Sequence, residues 1–466
     1  MKPETALPSR RDFLRRACCA AVGSTSVVSA LTQLRTIGAV AAASAGMARA
    51  AAVPSDYKAL VCLFLSGGND GDALIVPTDA SSYAAYATAR GALAVDRAAL
   101  LPIAPRSYAD GRTYGFHPST PELRTLFSQG KLAVLGNVGT LVRPTSLAQY
   151  RSGSGLPPQL FSHVDQVMHW QSSLPDRPFD TGWGGRLADL TETFNASDRV
   201  SMAVSLNGAN SFQVGKNVTQ LAVNPTGVQL LQGYGAGGNT GLRYAGAKSL
   251  LAAPRSNLLE AAFGAMGQNA IENREVLSAA LAGVPPLATV FPGSLTGSRL
   301  AMIARLIAAA PALGLKRQIF FCQLGGFDLH AGQVGAHGPL LAEVSAAIAA
   351  FHAATVELGV ANQVTTFTAS DFGRTYVANG DGTDHGWGNH QLIVGGAVKG
   401  GEIYGRMPSL VVNGPDDAGR GRWIPSTSVD EYNATLATWF GVSPADLATV
   451  LPNIGRFAKR DLGFMG

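Results

Sequence analysis

Short apolar runs alternate along the chain with amphipathic segments and with polar, glycine-rich loops. The apolar runs have the length of buried strands and lie at 59–65, 132–136, 202–206, 319–324, 364–368 and 392–396. Helical patterns lie between them at 120–129, 298–312 and 338–358, and the first of these opens with Pro121 and ends at Gly130. This alternation predicts an α/β layered fold, with a mostly parallel sheet and helices on both faces.

Residues from about 208 to 300 differ in amino-acid composition from the rest of the chain. They are rich in glycine, asparagine and serine near 233–238, and alanine-rich helical patterns follow. We interpret this region as a helical, glycine-rich insertion within a single domain that spans 51–466.

Polar clusters follow three of the predicted strands, at 66–72, 325–330 and 370–374. Because ligands in open α/β sheets bind beyond the carboxyl ends of the strands, we expect Asp70, Asp328 and Asp371 to meet at one rim. Clustered carboxylates repel one another unless a cation neutralises them or one is protonated. The alternative is that each aspartate caps a helix or forms an Asx turn after its strand.

The chain has only 8 histidines, yet two of them lie in the glycine-rich stretch 368–391. The predicted nitrogen ligands are His330, His385 and His390, and Asp384 lies directly before His385. Imidazole and carboxylate together favour Zn²⁺ or Mn²⁺, whereas oxygen ligands alone favour Ca²⁺ or Mg²⁺. The sequence therefore predicts a site for one or two divalent metal ions (Zn, Mn or Ca) against the alternative of a solvated loop.

Ser162 and His163 lie at the start of a helical segment, where free N–H groups and the helix dipole suit an anionic ester. Ser162 is the candidate nucleophile, and His163 is a candidate ligand, general acid or hydrogen-bonding residue. The alternative is an ordinary serine N-cap that Asp165 completes as a capping box. Arg374 is the candidate clamp for a phosphate or sulfate oxygen, unless it pairs with Asp371 or another rim carboxylate.

The first 50 residues resemble an export leader and carry most of the charge imbalance. The formal net charge is +5, and these residues contain seven basic and two acidic side chains, so that 29 of each sign remain in 51–466. This balance indicates no nucleic-acid partner. The run Ser9–Arg15 matches a twin-arginine signal, with an Ala-Arg-Ala cleavage pattern at 48–50 and Arg35 interrupting the apolar stretch. We expect export through the Tat translocase to the periplasm or beyond, with no stable membrane span.

Several motifs together resemble a known family. They are the leader and the segments Leu65–Gly71, Phe161–His163, Gly182–Arg186, Gly325–His330 and Ser370–Arg374 with its continuation to His390. In these the chain is similar to the exported bacterial family called domain of unknown function 1501. The resemblance covers nearly all of the chain after the leader, and it implies the alkaline phosphatase/sulfatase-like fold without an established activity.

The resemblance implies a parallel sheet with two metal positions and a nucleophile at a helix N-terminus. By position, Asp70 resembles the metal-binding aspartate after the first strand, and Ser162 resembles the nucleophile. Asp328 and Asp371 resemble the two later aspartates, and His385 resembles the last histidine ligand.

The chain departs from that plan at two positions, because residue 332 is glycine and residue 372 is phenylalanine where ligand histidines are usual. Either His330 and His390 complete the sites, or one metal binds, or the fold has lost its chemistry.

Two functions remain open at this point. The first is an exported metal-dependent hydrolase or transferase that acts on a phosphate or sulfate ester, carried by a small molecule or a polysaccharide. The second is a non-catalytic exported binding or assembly module that retains the fold, for which envelope polysaccharide is the suggested partner.

Overall fold

The computed structural model describes residues 53, 55–227 and 237–466, so the predicted leader lies outside the described residues. The strands are β1 Lys58–Leu65, β2 Ile75–Pro77, β3 Leu101–Ile103, β4 Tyr114–Phe116, β5 Leu132–Gly139, β6 Ala203–Ser205, β7 Leu221–Ala222, β8 Arg317–Leu324, β9 Val364–Ser370, β10 Asn389–Gly395, β11 Glu402–Gly405 and β12 Thr427–Ser428. The helices are α1 Gly71–Leu74, α2 Ala80–Arg90, α3 Pro121–Ser128, α4 Leu147–Ser152, α5 His163–Ser172, α6 Trp183–Thr191, α7 Gly238–Ala252, α8 Leu258–Ala282, α9 Leu295–Leu313, α10 Gln333–Glu357, α11 Val429–Phe440 and α12 Leu447–Val450.

A 9-stranded sheet forms the centre of the fold. Its order is β11-β5-β10-β9-β1-β8-β6-β7, and β12 also pairs with β5. The pairs of β1 with β8 and β9 are parallel, as are those of β6 with β7 and β8 and those of β5 with β11 and β12. Only β10 runs antiparallel to its two neighbours, β5 and β9, among the strands described in this sheet. The predicted mostly parallel α/β architecture is confirmed.

Both faces of the sheet are covered, which explains why its strands read as continuous apolar runs. In β1, Leu60, Cys62 and Phe64 pack in a cluster with residues of α5, α6 and α11. The alternating residues Ala59 and Val61, which face the other side of the sheet, are also fully buried, at 0% exposure. Helix α9 contacts β8 and α10, and α10 contacts α3.

A small second sheet, β2-β4-β3, is antiparallel throughout. It follows directly from the loop after β1, since only α1 separates β1 from β2. Its position therefore depends on the same loop that carries Asp70.

The described chain divides into two compact units. Among the described residues, one unit contains 237–275, with α7 and the first part of α8, and the other contains 53, 55–227 and 276–466. The predicted insertion at about 208–300 thus begins within the larger unit, where Leu221–Ala222 is a strand of the main sheet.

One helix among the described residues, α10, has the length and the apolar composition of a membrane span. Half of its most apolar window is buried in the protein, as in the core helix of a folded domain. By itself this is weak evidence for a membrane span.

Candidate metal centre

The candidate site lies beyond the carboxyl ends of β1, β8 and β9, which are neighbours in the sheet. Asp328 and His330 lie on the loop between β8 and α10, and Asp371 comes directly after β9. His385 lies on the loop that leads into β10, and His163 is the first residue of α5. Sequence-distant side chains meet here because three parallel strands end at the same edge.

Asp328 is the centre of the site. Its Oδ1 atom accepts a hydrogen bond from Arg374 at 2.7 Å. The Nε2 atoms of His330 and His385 lie 3.0 Å and 3.2 Å from the same oxygen. His163 Nε2 lies 3.3 Å from the other carboxylate oxygen. We call Asp328, His163, His330 and His385 the imidazole cluster.

Two of these imidazoles are oriented by partners on their far side. His163 Nδ1 lies 2.7 Å from Asp371 Oδ2, and His385 Nδ1 lies 2.6 Å from the carbonyl oxygen of Phe161. A carbonyl oxygen only accepts, so His385 Nδ1 carries a proton and the neutral ring has its lone pair on Nε2. A carboxylate partner has the same effect on His163. This is the arrangement in which histidine ligands of metals are normally held.

Asp371 is itself fixed in place. Its side chain is buried, and its Oδ1 atom accepts a hydrogen bond from the backbone N–H of Gly67 at 3.0 Å. Gly67 has a φ of 111°, and a Cβ atom at this position would lie 2.4 Å from the backbone nitrogen of Asp328. Only glycine therefore lets the loops after β1 and β8 approach this closely.

His330 has less support than the other two imidazoles. Its side chain is 45% exposed, and its Nδ1 atom lies 3.9 Å from Asp384, too far for a hydrogen bond. Its Nε2 atom lies 2.9 Å from Nε2 of His385. Because Nε2 of His385 carries a lone pair, this short distance requires either an N–H group donated by His330 or a cation bound between the two rings.

The donor atoms have the spacing that a metal ion needs. One atom each from His163, Asp328 and His385 lie within 4.8 Å of one another, and the same holds for His330, Asp384 and His385. Each set offers two imidazole nitrogens and one carboxylate oxygen, which fit Zn²⁺ or a similar transition-metal ion, whereas Ca²⁺ prefers six to eight oxygen ligands.

The surroundings of the cluster favour the protonation state of a metal ligand at His385 and Asp328, and they oppose it at His163. Partial burial lowers the pKa of His385, which favours the neutral ring, although the Phe161 carbonyl and Asp328 oppose this effect. Burial alone would raise the pKa of Asp328, but the hydrogen bond and charge of Arg374, with the charges of His163 and His330, hold that pKa below its ordinary value. The hydrogen bond to Asp371 raises the pKa of His163 against the effect of burial.

Arg374 holds the carboxylate of Asp328 in place by a hydrogen bond and is itself fixed by other acceptors. It is almost fully buried and donates to Asp328, to the carbonyl oxygen of Gly67 at 3.1 Å and to the hydroxyl and carbonyl oxygens of Thr383. Each of its guanidinium nitrogens has a protein acceptor. The structure thus places Arg374 as a positioning residue for Asp328, in line with the carboxylate pairing left open above, and not as an open clamp for an anion.

The structure does not bring Asp70 to the cluster. Its carboxylate pairs with the buried guanidinium of Arg90 at the end of α2, and it also accepts from Gln333 and from the backbone N–H of Ala73. Burial alone would raise the pKa of Asp70, but the charges of Arg90 and His337 and its hydrogen bonds hold that pKa below its ordinary value. Arg90 supplies the positive charge for which the sequence reasoning required a metal, so Asp70 caps α1 as in the helix-cap alternative.

His390 also lies outside the cluster. It is on β10, almost fully buried, and its Nδ1 atom accepts a hydrogen bond from the backbone N–H of Asn137 at 3.1 Å. Its Nε2 atom lies 3.7 Å from Asp72. His390 therefore belongs to the buried polar layer next to β5.

Ser162 is the N-cap residue of α5 and directly precedes His163. Its hydroxyl donates to Asp165 at 2.6 Å and makes no capping bond to the backbone of the helix. The structure thus places the candidate nucleophile next to the cluster along the chain, with its proton directed at a carboxylate.

Asp384 is shared between the cluster and two arginines. Its Oδ1 atom accepts from the backbone N–H of His385 at 2.8 Å, and its Oδ2 atom pairs with Arg422 at 3.0 Å and with Arg420 at 3.3 Å. Sequence reasoning missed both arginines. The signal that was available is the Gly-Arg-Gly-Arg run at 419–422, which has no helical or strand periodicity.

Comparison with protein families gives one assignment. The family model described as Protein of unknown function (DUF1501) matches residues 57–420, well over half of the chain. The chain belongs to the DUF1501 family. The resemblance stated from the sequence motifs is thereby confirmed, and the matched range contains every residue of the imidazole cluster. A search of curated proteins gave no match.

Solved structures give similarities at low scores. A PsFucS1 sulfatase from Pseudoalteromonas sp. is 11% identical, with a TM-score of 0.36 over 83% of this chain and 68% of that one. Ps i-CgsB in complex with k-i-k-neocarrahexaose is 10% identical, with a TM-score of 0.35 over 87% and 77%. A mutant of the alkaline phosphatase PafA is 12% identical, with a TM-score of 0.28 over 70% and 64%.

Proposed function

We propose that this chain is an exported metal-dependent hydrolase or transferase that acts on a phosphate or sulfate ester. Its metal ion is held by His163, Asp328 and His385, with His330 as the fourth ligand. The observation that carries the proposal is the convergence of three Nε2 atoms on one carboxylate, with the lone pairs of His163 and His385 directed inward by Asp371 and by the carbonyl oxygen of Phe161.

A structural role explains this arrangement less well. A half-exposed carboxylate at a loop tip does not need three imidazoles and a buried guanidinium to satisfy it. The outer partners also restrict His163 and His385 to the tautomer that binds a metal through Nε2, at the expense of other hydrogen bonds these rings could form.

The arrangement supports one ion and not two. Asp70, the aspartate predicted to bind metal after the first strand, is neutralised by Arg90. The ring of Phe372 packs against His163 and His385, with ring centroids 4.8 Å and 4.6 Å away, and so fills the space on that side with carbon. The single ion is proposed as Zn²⁺ or Mn²⁺ because three of the four ligands are imidazoles.

The protein residues have separate tasks in the proposed reaction. A bound divalent ion would polarise the ester and lower the pKa of a nearby hydroxyl. Asp371 holds His163 in its tautomer, and Arg374 holds Asp328 in position. Ser162 is the proposed nucleophile, and Asp165 is placed to accept its proton at a distance of 2.6 Å.

The first test measures bound metal. We expect His163→Ala and His385→Ala each to reduce Zn and Mn, measured by elemental mass spectrometry, to background. His352→Ala is the matched control, since His352 is a largely buried imidazole on α10 outside the cluster. Retained stoichiometric metal in both cluster variants would contradict the proposal.

The second test separates catalysis from binding alone. We expect the metal-loaded protein to hydrolyse aryl phosphate or aryl sulfate esters, and Ser162→Ala to remove turnover while the metal content stays unchanged. Bound metal without turnover of either ester class, in the wild type and at every metal tried, would favour the non-catalytic binding module.

Export is a separate part of the proposal, and its support is the leader sequence. The pair Arg10-Arg11 is the residue pattern that the twin-arginine route reads. Changing both arginines to lysine is expected to leave the protein in the cytoplasm of its host. Unchanged delivery to the periplasm would contradict this route.

A further inference from the structure

The loop Asp417–Arg422 has an unusual backbone. Gly419, Arg420 and Gly421 have φ values of 121°, 61° and 72°, all in the left-handed region. Glycine adopts this region freely, but arginine does so only at a cost in free energy. Strain of this kind persists where the surrounding structure imposes it, and it concentrates at functional sites.

The surrounding contacts fix this conformation. Asp417 Oδ1 accepts from the backbone N–H groups of Gly419 at 2.6 Å and Gly421 at 2.8 Å, and its Oδ2 atom accepts from that of Asn413 at 2.7 Å. A Cβ atom on Gly421 would lie 2.3 Å from Cβ of Tyr376. The direction in which Arg420 leaves the loop is therefore determined by buried contacts and not by its own preference.

The loop presents two guanidinium groups to one carboxylate oxygen of Asp384. Arg422 is well anchored, because its Nε atom donates to the carbonyl oxygen of His385 at 2.7 Å and its guanidinium lies 4.7 Å from the ring of Phe161. Arg420 has no such anchor. Its side chain is 47% exposed, and the contact with Asp384 is the only hydrogen bond its guanidinium makes within residues 55–227 and 237–466.

The pair therefore carries one positive charge more than its carboxylate partner neutralises. In addition, Arg420 has N–H groups for which no described residue provides an acceptor. Asp384 connects these charges directly to His385, so the surplus lies at the edge of the imidazole cluster. Arg374, the arginine predicted to bind an anion, is buried, and each of its three guanidinium nitrogens already donates to a protein acceptor.

We propose that Arg420, held in place by the Asp417 loop and next to Arg422, binds a charged oxygen of the substrate. This inference rests on the proposed function and deepens it, because it names the group that recognises the tetrahedral oxyanion of a phosphate or sulfate ester. Guanidinium groups bind such oxyanions through two parallel N–H donors. Arg422 and Asp417 are positioning residues in this account.

Inorganic phosphate and inorganic sulfate are the probes, titrated calorimetrically into the metal-loaded protein and into the metal-free protein. We expect Arg420→Gln to weaken binding of the anion about tenfold, equivalent to about 1.4 kcal/mol. Arg420→Lys keeps the charge but loses the planar fork, and its affinity is expected to fall between those of wild type and Arg420→Gln. Metal content is expected to stay unchanged in both variants.

The matched control is Arg177→Gln. The Arg177 side chain is 46% exposed and pairs with one carboxylate, Asp176, as Arg420 does with Asp384. This control is expected to bind the anion with wild-type affinity.

The two proposals fail in different ways. Wild-type anion affinity in Arg420→Gln, or no anion binding by the metal-loaded wild type, would overturn the role of Arg420 while leaving the metal site intact. If the wild type binds no metal, the proposed function fails, and the titration of the metal-free protein still tests whether anion binding depends on Arg420.

Discussion

Asp371→Asn is the substitution that probes the metal centre most finely, because it replaces one oxygen by an amide nitrogen and alters the shape very little. The carboxylate accepts from two donors, the backbone N–H of Gly67 at 3.0 Å and His163 Nδ1 at 2.7 Å. Its side chain is only 2% exposed, so water cannot take over either bond. An asparagine side chain has one acceptor where the site needs two.

Both orientations of the amide therefore carry a cost. If the amide nitrogen faces Gly67, two N–H donors meet in a buried place, at a cost of about 1–3 kcal/mol of unfolding free energy. If it faces His163, Nδ1 becomes an acceptor and the proton moves to Nε2, where it blocks the lone pair that the metal requires. The loss of such an outer partner typically lowers metal affinity about 10–100-fold.

The assay is a competition titration of Zn²⁺ with a chelator of known affinity, together with urea unfolding of the metal-free protein. Asp381→Asn is the control, because Asp381 is an exposed aspartate that also accepts from a backbone N–H, that of Gly332. Wild-type affinity for Zn²⁺ and a wild-type unfolding midpoint, found together in Asp371→Asn, would refute the reasoning.

Three further predictions concern stability and turnover. Burial raises the pKa of Asp430 from 3.8 to about 8 against the charge of Arg186, so the folded state holds this proton more tightly than the unfolded chain and stability falls as pH rises from about 4 to about 8. Asp430→Asn should therefore make stability less dependent on pH and stabilise the protein at pH 8. The gain is about 5 kcal/mol at most, from about four pKa units at about 1.36 kcal/mol each. An unchanged pH profile of urea unfolding would contradict this prediction. Arg90→Met leaves the Asp70 carboxylate buried and unpaired, and should lower the unfolding free energy by about 3–5 kcal/mol with metal content unchanged; loss of metal from the folded variant would return Asp70 to the metal site. Ser162→Ala should reduce ester turnover to background in a stopped assay, and more than a tenth of wild-type turnover would exclude Ser162 as the nucleophile.

The main sheet was predictable because its strands are buried on both faces. Continuous apolar runs indicated β1, β5, β8 and β9 with ends shifted by three residues at most, and the alternation of strands with helices indicated a mostly parallel sheet. The direction of β10 was not predictable. Its side chains are buried like those of the parallel strands in the sheet, and the loop from 371 to 388 that turns the chain back has no periodicity.

The candidate site was predictable where it depends on strand ends and unpredictable where it depends on partners. Asp328, Asp371 and His385 come together because β8, β9 and the loop before β10 meet at one edge. Asp70 lies on the loop that follows β1, but Arg90 of α2 neutralises it, and no rule of spacing indicates that pairing. The place of Arg420 beside the cluster was not predictable. It depends on left-handed backbone torsions, and these produce no pattern of apolar residues in the sequence.

The number of metal ions bound per protein chain tests the central claim most directly. The protein would be purified without chelators after export in a host with an intact twin-arginine route, and analysed by elemental mass spectrometry against protein concentration from amino-acid analysis. The account predicts one Zn or Mn ion per chain, lost in His385→Ala and retained in His352→Ala. No bound metal in the folded protein would contradict the metal centre, and two ions per chain would contradict the proposal of a single ion.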